Sequence, residues 1–198
     1  MSSDESVFRA TAAALMLVGL AVRIYYQRQF RDVQRDAPRG RQRDEIYYYL
    51  VLGSFLLVLV YAASSLLDVA HLEIPAALRW IGAAVGLASL LLLVASHHAL
   101  GQNWSGVVQL AKKHDLVTHG PYRYIRHPMY TSLFGTAIAC AFLTANAVIA
   151  IAALASVTLM YRVRVSDEEA MMLQAFGASY EEHKLKTGRL LPRWGRDR

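Results

Sequence analysis

The sequence predicts an all-α integral membrane protein with five transmembrane helices, the last two of which form a C-terminal helical hairpin. Three observations support this fold class. Of the 198 residues 55% are apolar and only 18% are charged, whereas about 25% of the residues of an ordinary soluble domain are charged. The apolar residues form long runs, and a run of about 18 or more is typical of a membrane-spanning helix. The basic residues lie almost entirely in alternate connections between these runs.

The first span is predicted at residues 10–26. This run is apolar apart from Arg23, which lies near one end and can extend its guanidinium to the interface while its stem stays in lipid. Residues 1–9 are polar and slightly acidic. They lack the basic region and the small-residue cleavage site of a signal peptide, so we expect this span to remain in the mature protein.

The second and third spans are predicted at residues 46–67 and 76–96. The second contains 22 residues without a charge and begins with three consecutive tyrosines, which are typical of the aromatic belt at a membrane interface. The third carries Arg79 and Trp80 near its start and is apolar further along. Both runs are long enough to cross a hydrocarbon core of about 30 Å.

The fourth and fifth spans share one uncharged stretch. Residues 128–161 are 34 residues without a formal charge, which is too long for a single crossing. Thr144, Ala145 and Asn146 are the weakest membrane formers near its middle. We therefore predict a tight hairpin there, with spans at residues 128–143 and 147–163.

The distribution of Lys and Arg predicts the orientation, because these residues accumulate in cytoplasmic loops. With five spans, residues 27–45, 99–126 and 162–198 share one side and carry six, four and eight Lys or Arg, eighteen of the twenty-one in the chain. Only Arg9 and Arg79 fall in the opposite segments. We expect the N-terminus outside and the C-terminus in the cytoplasm. The net charge of +6 then belongs to a surface that faces anionic lipids, and no nucleic-acid partner is expected.

Two cytoplasmic segments are rich in chemically capable side chains. The first, residues 114–130, holds three His, two Arg and three Tyr. Pro128 lies where a helix would begin, and His127 before it is displaced from helical geometry. The backbone amides of that turn, with the positive end of the helix dipole, can hold a carboxylate such as that of an amino-acid-like cofactor. The alternative is a proline-capped span with interfacial anchors. The wide spacing of the histidines, without clustered cysteines, argues against a metal site.

The second segment, residues 162–180, begins where the fifth span leaves the membrane. Arg164 and Glu168 stand four residues apart and share one face of a continuous helix. Such a pair can bind a zwitterion or a carboxylate. The alternative is a modest solvated ion pair. Ser166 and Glu169 have the spacing of a capping box, which gives Glu169 a structural explanation that Glu168 lacks.

The two segments together resemble a known family. Gly120-Pro-Tyr-x-x-x-Arg-His-Pro-Met-Tyr130 is followed about 40 residues later by Glu168-Glu169 and Phe176-Gly177-x-x-Tyr180. This paired signature is similar to that of the isoprenylcysteine carboxyl methyltransferase family and its phospholipid methyltransferase relatives. The resemblance covers residues 102–192, which would form the catalytic region. The first two spans match only in being hydrophobic.

The resemblance implies a role for individual residues. Glu168 matches the glutamate that faces the methionine ammonium of S-adenosylmethionine, and Arg164 matches the arginine placed toward the substrate, so these two are the candidate catalytic residues. Gln109 and His114 are separated by fewer residues than in eukaryotic members. The residues implied to line the cofactor pocket are Gln109, His114, Asp115, Leu116, Val117, Tyr122, His127, Pro128, Met129, Tyr130 and Glu168.

The function implied by the resemblance is methyl transfer from S-adenosylmethionine to a lipophilic acceptor at the membrane, with S-adenosylhomocysteine as the product. A carboxylate, as in isoprenylcysteine carboxyl methylation, is the expected acceptor. The expected partners are the lipid bilayer and a lipophilic small molecule or lipidated substrate, without a metal. Three alternatives remain: a phospholipid amine N-methyltransferase, a nicotinamide-dependent membrane reductase, and a non-enzymatic transporter or scaffold. No span has a charge at its centre, which argues against a transporter. No strand-associated G-x-G-x-x-G fingerprint is present, so we expect no Rossmann-type cofactor site.

Overall fold

A computed structural model describes residues 3–29, 41–101 and 115–193. The predicted all-α fold is confirmed, because the regular elements of this part of the chain are helices. The α-helices are α1 (Ser3–Gln29), α2 (Arg41–Ala63), α3 (Ala76–Leu100), α4 (Pro128–Thr144), α5 (Ala147–Phe176) and α6 (Ala178–Lys186), and short 3₁₀ turns lie at Asp68–Ala70 and Gly120–Arg123.

Helices α1, α2, α3 and α5 are each long and apolar enough to cross a membrane, while α4, with 17 residues, is apolar but shorter. The predicted spans lie within α1 to α5, apart from the end of the second. Helix α2 ends at Ala63, so the last four residues of that predicted span lie beyond it. The hydroxyl of Ser64 bonds to the carbonyl of Val60 and also accepts from the amide of Leu66, and such local serine bonds compete with helix continuation.

The predicted hairpin between α4 and α5 is confirmed. Ala145 adopts a left-handed conformation with φ 45°, and the side chain of Asn146 caps α5 by accepting from the amide of Ile149 at 3.2 Å. The amide group of Asn146 also donates to the carbonyl of Leu67 at 2.6 Å. The turn is therefore fixed both to its own helix and to the segment after α2.

Helices α3 and α4 pack closely along their length. A Cβ atom at Gly82 would lie only 2.6 Å from the Cβ of Phe142 and 3.2 Å from the backbone nitrogen of Leu143. A larger residue cannot fit there without moving the helices apart. Gly82 and Gly86 are both buried, so this small-residue face serves packing within the chain.

Helix α5 continues well past the predicted end of the fifth span. Its 30 residues extend about 45 Å, compared with a hydrocarbon core of about 30 Å, so the helix is longer than a single crossing requires. The capping box predicted at Ser166 and Glu169 is wrong, because both residues lie inside an unbroken helix. Glu169 instead makes tertiary contacts at the candidate site.

A buried ionic cluster joins the helices at the opposite end of the bundle. Arg9 and Arg79 are each only 6% exposed. Arg79 donates to a carboxylate oxygen of Glu5 at 2.6 Å and to the carbonyl of Leu143 at 2.7 and 3.0 Å, and Tyr61 also donates to Glu5. The two arginines that the charge count places on the outer side therefore belong to the interior of the bundle.

Candidate functional site

The candidate site lies where the start of α4 meets the C-terminal half of α5. Helix α4 begins as the sequence predicts: His127 is its N-cap residue and Pro128 occupies its first turn. Proline suits this position because its missing amide hydrogen is not needed there. The side chains of His127 and Tyr130 point toward α5, and their ring centres are 5.9 Å apart in an edge-on arrangement.

Glu168 is the centre of a group of polar side chains contributed by α4 and α5. Tyr130 donates its hydroxyl hydrogen to Oε1 of Glu168 at 2.6 Å. Nη2 of Arg164 lies 3.5 Å from the same oxygen, and Nδ1 of His127 lies 3.6 Å from Oε2. Arg164 is buried, and the Glu168 side chain is 21% exposed. The predicted pairing of Arg164 and Glu168 on one helix face is thus present, and α4 adds two further partners.

Glu169 is the centre of a second group that touches the first. Nε of Arg126 and Nε2 of His127 lie 3.2 and 3.3 Å from its Oε1, and Nη2 of Arg189 lies 2.6 Å from its Oε2. The hydrogen bond from His127 and the nearby Arg189 guanidinium hold the pKa of Glu169 well below its usual value despite burial. His127 therefore stands between two adjacent carboxylates, and Glu169 stays anionic across the physiological range.

The segment after α6 runs alongside the loop that precedes α4. Ile125 and Gly188 form a parallel bridge, and the amides of Arg126 and His127 donate to the carbonyls of Gly188 and Arg189 at 2.8 and 3.0 Å. The guanidinium of Arg126 also donates to the carbonyls of Lys184 and Thr187. These bonds fix the backbone of His127 and hold its ring between the two glutamates.

Aromatic side chains enclose the polar group. Tyr122 is buried, and burial, with a smaller effect of the Glu168 charge, raises the pKa of its phenol far above the usual value. Tyr130 packs edge-on against Tyr161 with ring centres 5.3 Å apart. Tyr122 and Tyr130 thus flank Glu168 beside its polar partners Arg164 and His127.

The structure brings some of the predicted site residues together, whereas others lie in the preceding loop or outside the described residues. His127, Tyr130, Arg164 and Glu168 come together. Pro128 is buried and Met129 is partly buried in the first turn of α4. In the preceding loop Val117 is buried, Leu116 is partly buried and Asp115 is exposed. Gln109 and His114 lie outside the described residues.

Sequence reasoning missed three members of the site: Arg126, Glu169 and Arg189. The adjacent glutamates Glu168 and Glu169 were the available signal, because two neighbouring carboxylates on a helix can each bind a different set of partners. Arg126 lies within the motif of residues 120–130, but the sequence did not indicate a role for it. Arg189 had no local signal, since its partner is 20 residues away in sequence.

Replacing Glu169 with glutamine is expected to destabilise the protein by about 2 kcal/mol at neutral pH, because Arg126 and Arg189 lose a charged partner. The folded pKa of Glu169 is lowered, so its contribution is present above the ordinary glutamate pKa of about 4.3 and disappears as the pH falls toward the folded value. Thermal unfolding in detergent between neutral and acidic pH measures the difference.

The control is Glu182→Gln, which removes an exposed ion pair with Lys186 and should have little effect. A Glu169→Gln difference that stays constant down to strongly acidic pH would show that the ionised carboxylate is not what stabilises this region.

Comparison with known proteins gives the relatives of this chain. Residues 80–174, slightly less than half of the chain, match the isoprenylcysteine carboxyl methyltransferase family. The protein-S-isoprenylcysteine O-methyltransferase of Schizosaccharomyces pombe is 34% identical over 94 residues, which cover 46% of this chain and 40% of that protein. The Homo sapiens protein of the same name is 33% identical over 94 residues, covering 46% of this chain and 33% of that protein. The chain therefore spans less than half of the length of these relatives.

The fold comparison agrees. A solved structure of the eukaryotic intramembrane Ras methyltransferase, isoprenylcysteine carboxyl methyltransferase, matches with a TM-score of 0.55 and 25% sequence identity, over 79% of this chain and 54% of that one. The resemblance that the motifs indicate is confirmed in sequence and in fold, and the membrane-embedded helical architecture with it.

Proposed function

Because the chain resembles the isoprenylcysteine carboxyl methyltransferase family, we propose that it transfers a methyl group from S-adenosylmethionine to a lipophilic carboxylate at the membrane. The observation that carries the proposal is the position of Glu168. Its carboxylate is held by Tyr130 and flanked by His127 and Arg164 at the start of α4.

The residues present suit the cofactor chemically. S-adenosylmethionine carries a cationic ammonium and a cationic sulfonium, and the partly buried carboxylate of Glu168 is a suitable partner for a cation. Glu168 would hold the ammonium, as the family resemblance implies. The other residues proposed to hold the cofactor are Gln109, His114, Asp115, Leu116, Val117, Tyr122, His127, Pro128, Met129 and Tyr130.

The chemistry requires alignment more than proton transfer. The bound cofactor supplies a methyl group on a positively charged sulfur, and a carboxylate acceptor is already ionised at neutral pH. The residues of the chain then have to bind both reactants, orient them and exclude water. Holding two reactants in line can contribute on the order of 7 to 11 kcal/mol at best, and Arg164 would position the acceptor.

A carboxylate acceptor asks less of the site than a phospholipid amine. An amine has a pKa of about 10 and needs a base to take its proton. Glu168 already accepts from Tyr130, and Glu169 is held anionic by Arg126, His127 and Arg189. The lowered pKa of Glu169 makes it a weak base. An amine acceptor would therefore need Glu168, His127 or Tyr130 as its base, whereas a carboxylate acceptor has no proton to lose.

The membrane topology supplies the two reactants from different sides. We propose that the N-terminus lies outside and that the catalytic region, residues 102–192, faces the cytoplasm, as the Lys and Arg distribution indicates. The polar cofactor would then enter from the cytoplasm and the lipophilic acceptor from the bilayer. An active site built from membrane helices is suited to an acceptor of this kind.

Calorimetric titration of S-adenosylhomocysteine into the detergent-purified protein tests the proposal without knowledge of the acceptor. We expect saturable micromolar binding, and we expect His127→Ala to weaken it by about tenfold, because the ring lies between the two glutamates. The matched control is His119→Ala, an exposed histidine of the same loop. Absence of binding in a folded, helical protein would move the assignment to a transporter or scaffold.

A further inference from the structure

The C-terminal turn, residues 185–193, carries an exposed surface that is both apolar and basic. Leu185 and Leu191 are 66% and 71% exposed, and the side chains of Lys186 and Arg193 are exposed beside them. A single exposed leucine is common on a protein surface and needs no explanation. Two leucines on one short turn, together with two cations, are instead the combination found on segments that bind a membrane interface.

The backbone folds the C-terminal turn into one compact unit. A Cβ atom at Gly188 would overlap the carbonyl oxygen of Leu191, so the chain doubles back there and glycine is the residue that permits so close an approach. Nη1 of Arg193 donates to the carbonyl of Leu185 at 2.8 Å and thereby holds the two ends of the turn together. The two exposed leucines are therefore carried by a single folded unit.

Hydrogen bonds place the C-terminal turn beside the first turn of α4. Oγ1 of Thr131 donates to the carbonyl of Leu190 at 2.6 Å, and the amide of His127 donates to the carbonyl of Arg189 at 3.0 Å. Helix α4 has 17 residues, about 26 Å, so a crossing of a hydrocarbon core of about 30 Å uses its whole length. Its first turn then lies at the membrane surface, and Leu191, which directly follows Leu190, lies there as well.

The loop that precedes α4 extends this surface. The amide of Gly188 donates to the carbonyl of Tyr124 at 3.3 Å, and the Tyr124 side chain is 44% exposed. The guanidinium carbon of Arg123, which is also exposed, lies 5.7 Å from the centre of the Tyr124 ring. Tyrosine is enriched at membrane–water interfaces, and arginine can keep its charge in the polar region while its stem lies against apolar groups.

The charge of this region suits an anionic surface. Residues 178–193 hold four basic and two acidic side chains, which gives a net charge of +2. The acidic residues, Glu181 and Glu182, pair with Lys184 and Lys186 at 3.3 and 2.6 Å and lie about one helical turn before the exposed leucines. In the orientation proposed above, the surface faces the cytoplasmic leaflet, whose anionic lipids attract basic segments.

We propose that the C-terminal turn docks on the anionic lipid surface of the bilayer that holds the protein. Leu185 and Leu191 lie among the lipid headgroups, and Lys186 and Arg193 contact the phosphates and carboxylates of anionic lipids. The partner is the membrane surface itself, because the turn lies beside the first turn of α4 and carries a matching charge. The inference goes beyond the proposed function, since it does not depend on methyl transfer.

Fluorescence quenching of the full chain in lipid nanodiscs tests the docking. An environment-sensitive nitrobenzoxadiazole dye is attached to Leu191→Cys in a Cys140→Ala background, and its quenching by a lipid with a spin label near the headgroup is measured. The discs contain phosphatidylcholine alone or equal parts of phosphatidylcholine and phosphatidylserine. In the serine-containing discs we expect blue-shifted emission and quenching several-fold stronger than for the same dye at Ser179→Cys, the exposed start of α6.

Substitutions separate the basic part of the surface from the apolar part. Lys186→Gln and Arg193→Gln should each lower the ratio of docked to undocked turn by about fivefold in the serine-containing discs and have little effect in phosphatidylcholine alone. Arg193→Lys should retain docking, and Arg28→Gln, at the exposed end of α1, is the charge-matched control. Leu185→Ser should reduce quenching in both kinds of disc, whereas Leu173→Ser, an exposed leucine of α5, should not.

Two outcomes would overturn the inference. Quenching at residue 191 no stronger than at residue 179 in both kinds of disc would show that the turn faces water or another protein. Equal quenching in the two kinds of disc, unchanged by the charge substitutions, would refute the recognition of anionic lipid. S-adenosylhomocysteine titration of the same discs reports separately on the proposed function, so the failure of one result leaves the other intact.

Discussion

Replacing Arg164 with alanine is expected to lower kcat/KM for the acceptor by on the order of 1,000-fold, while the dissociation constant for S-adenosylhomocysteine changes by about threefold or less. Arg164 is buried, and a buried guanidinium that pairs with an anionic acceptor contributes about 2 to 5 kcal/mol. Glu168 would retain Tyr130 and His127 as neighbours, so the cofactor side of the site keeps most of its polar contacts.

The measurement combines methyl transfer from radiolabelled cofactor to an N-acetyl-S-prenylcysteine with calorimetry of S-adenosylhomocysteine. Arg162→Ala, an exposed arginine two residues earlier on α5, is the matched control and should retain activity. Arg164→Lys keeps the charge but loses the planar fork, so we expect intermediate activity. Equal losses of turnover and of cofactor affinity in Arg164→Ala would assign this residue to the cofactor and remove it as the acceptor anchor.

The spans and the hairpin could be predicted because their signals are local. A long run without charges indicates a membrane span by its composition alone. The weakest membrane formers in the last run lie at Thr144, Ala145 and Asn146, and the structure places the turn there because Asn146 caps the next helix. The pairing of Arg164 with Glu168 was predictable for the same reason, since a spacing of four residues fixes both on one helix face.

The tertiary part of the site could not be predicted in this way. The local spacing of Ser166 and Glu169 is that of a helix start, but the helix is unbroken, and Glu169 bonds to Arg126 and Arg189. These partners are 43 and 20 residues distant in sequence. A local pattern indicates which groups a side chain can bond, and only the packing of α5 against the loop before α4 and the C-terminal segment selects among them.

Arg9 and Arg79 show that a count of charges along the sequence does not predict which of them are buried. The Lys and Arg distribution treats every charge as exposed to one side or the other, and Arg9 and Arg79 count as outer residues on that basis. In the structure both are buried and share Glu5. These two arginines do not weaken the orientation predicted from the eighteen basic residues on one side. A paired internal arginine contributes little to the electrostatic field at either surface.

Replacing Glu168 with glutamine is expected to weaken S-adenosylhomocysteine binding on the order of 100-fold, because the amide has the shape of the carboxylate but no charge to attract the methionine ammonium. The Tyr130 hydroxyl can still donate to the amide oxygen, so the fold should be retained. Asp167→Asn, at the exposed neighbouring position, removes the same charge outside the polar group and is the matched control.

The charge balance around Glu168 makes this test selective. In the wild-type protein the Glu168 carboxylate stands beside Arg164 and His127, so its removal leaves the guanidinium without that anionic neighbour. If Glu168 binds the ammonium, affinity for S-adenosylhomocysteine falls, whereas affinity for adenosine, which has no ammonium, stays the same. If Glu168 only neutralises Arg164, affinity for both ligands changes equally, and Glu168→Gln combined with Arg164→Met restores S-adenosylhomocysteine binding. That second pattern would remove the ammonium-binding role and leave Glu168 as a positioning residue for the arginine.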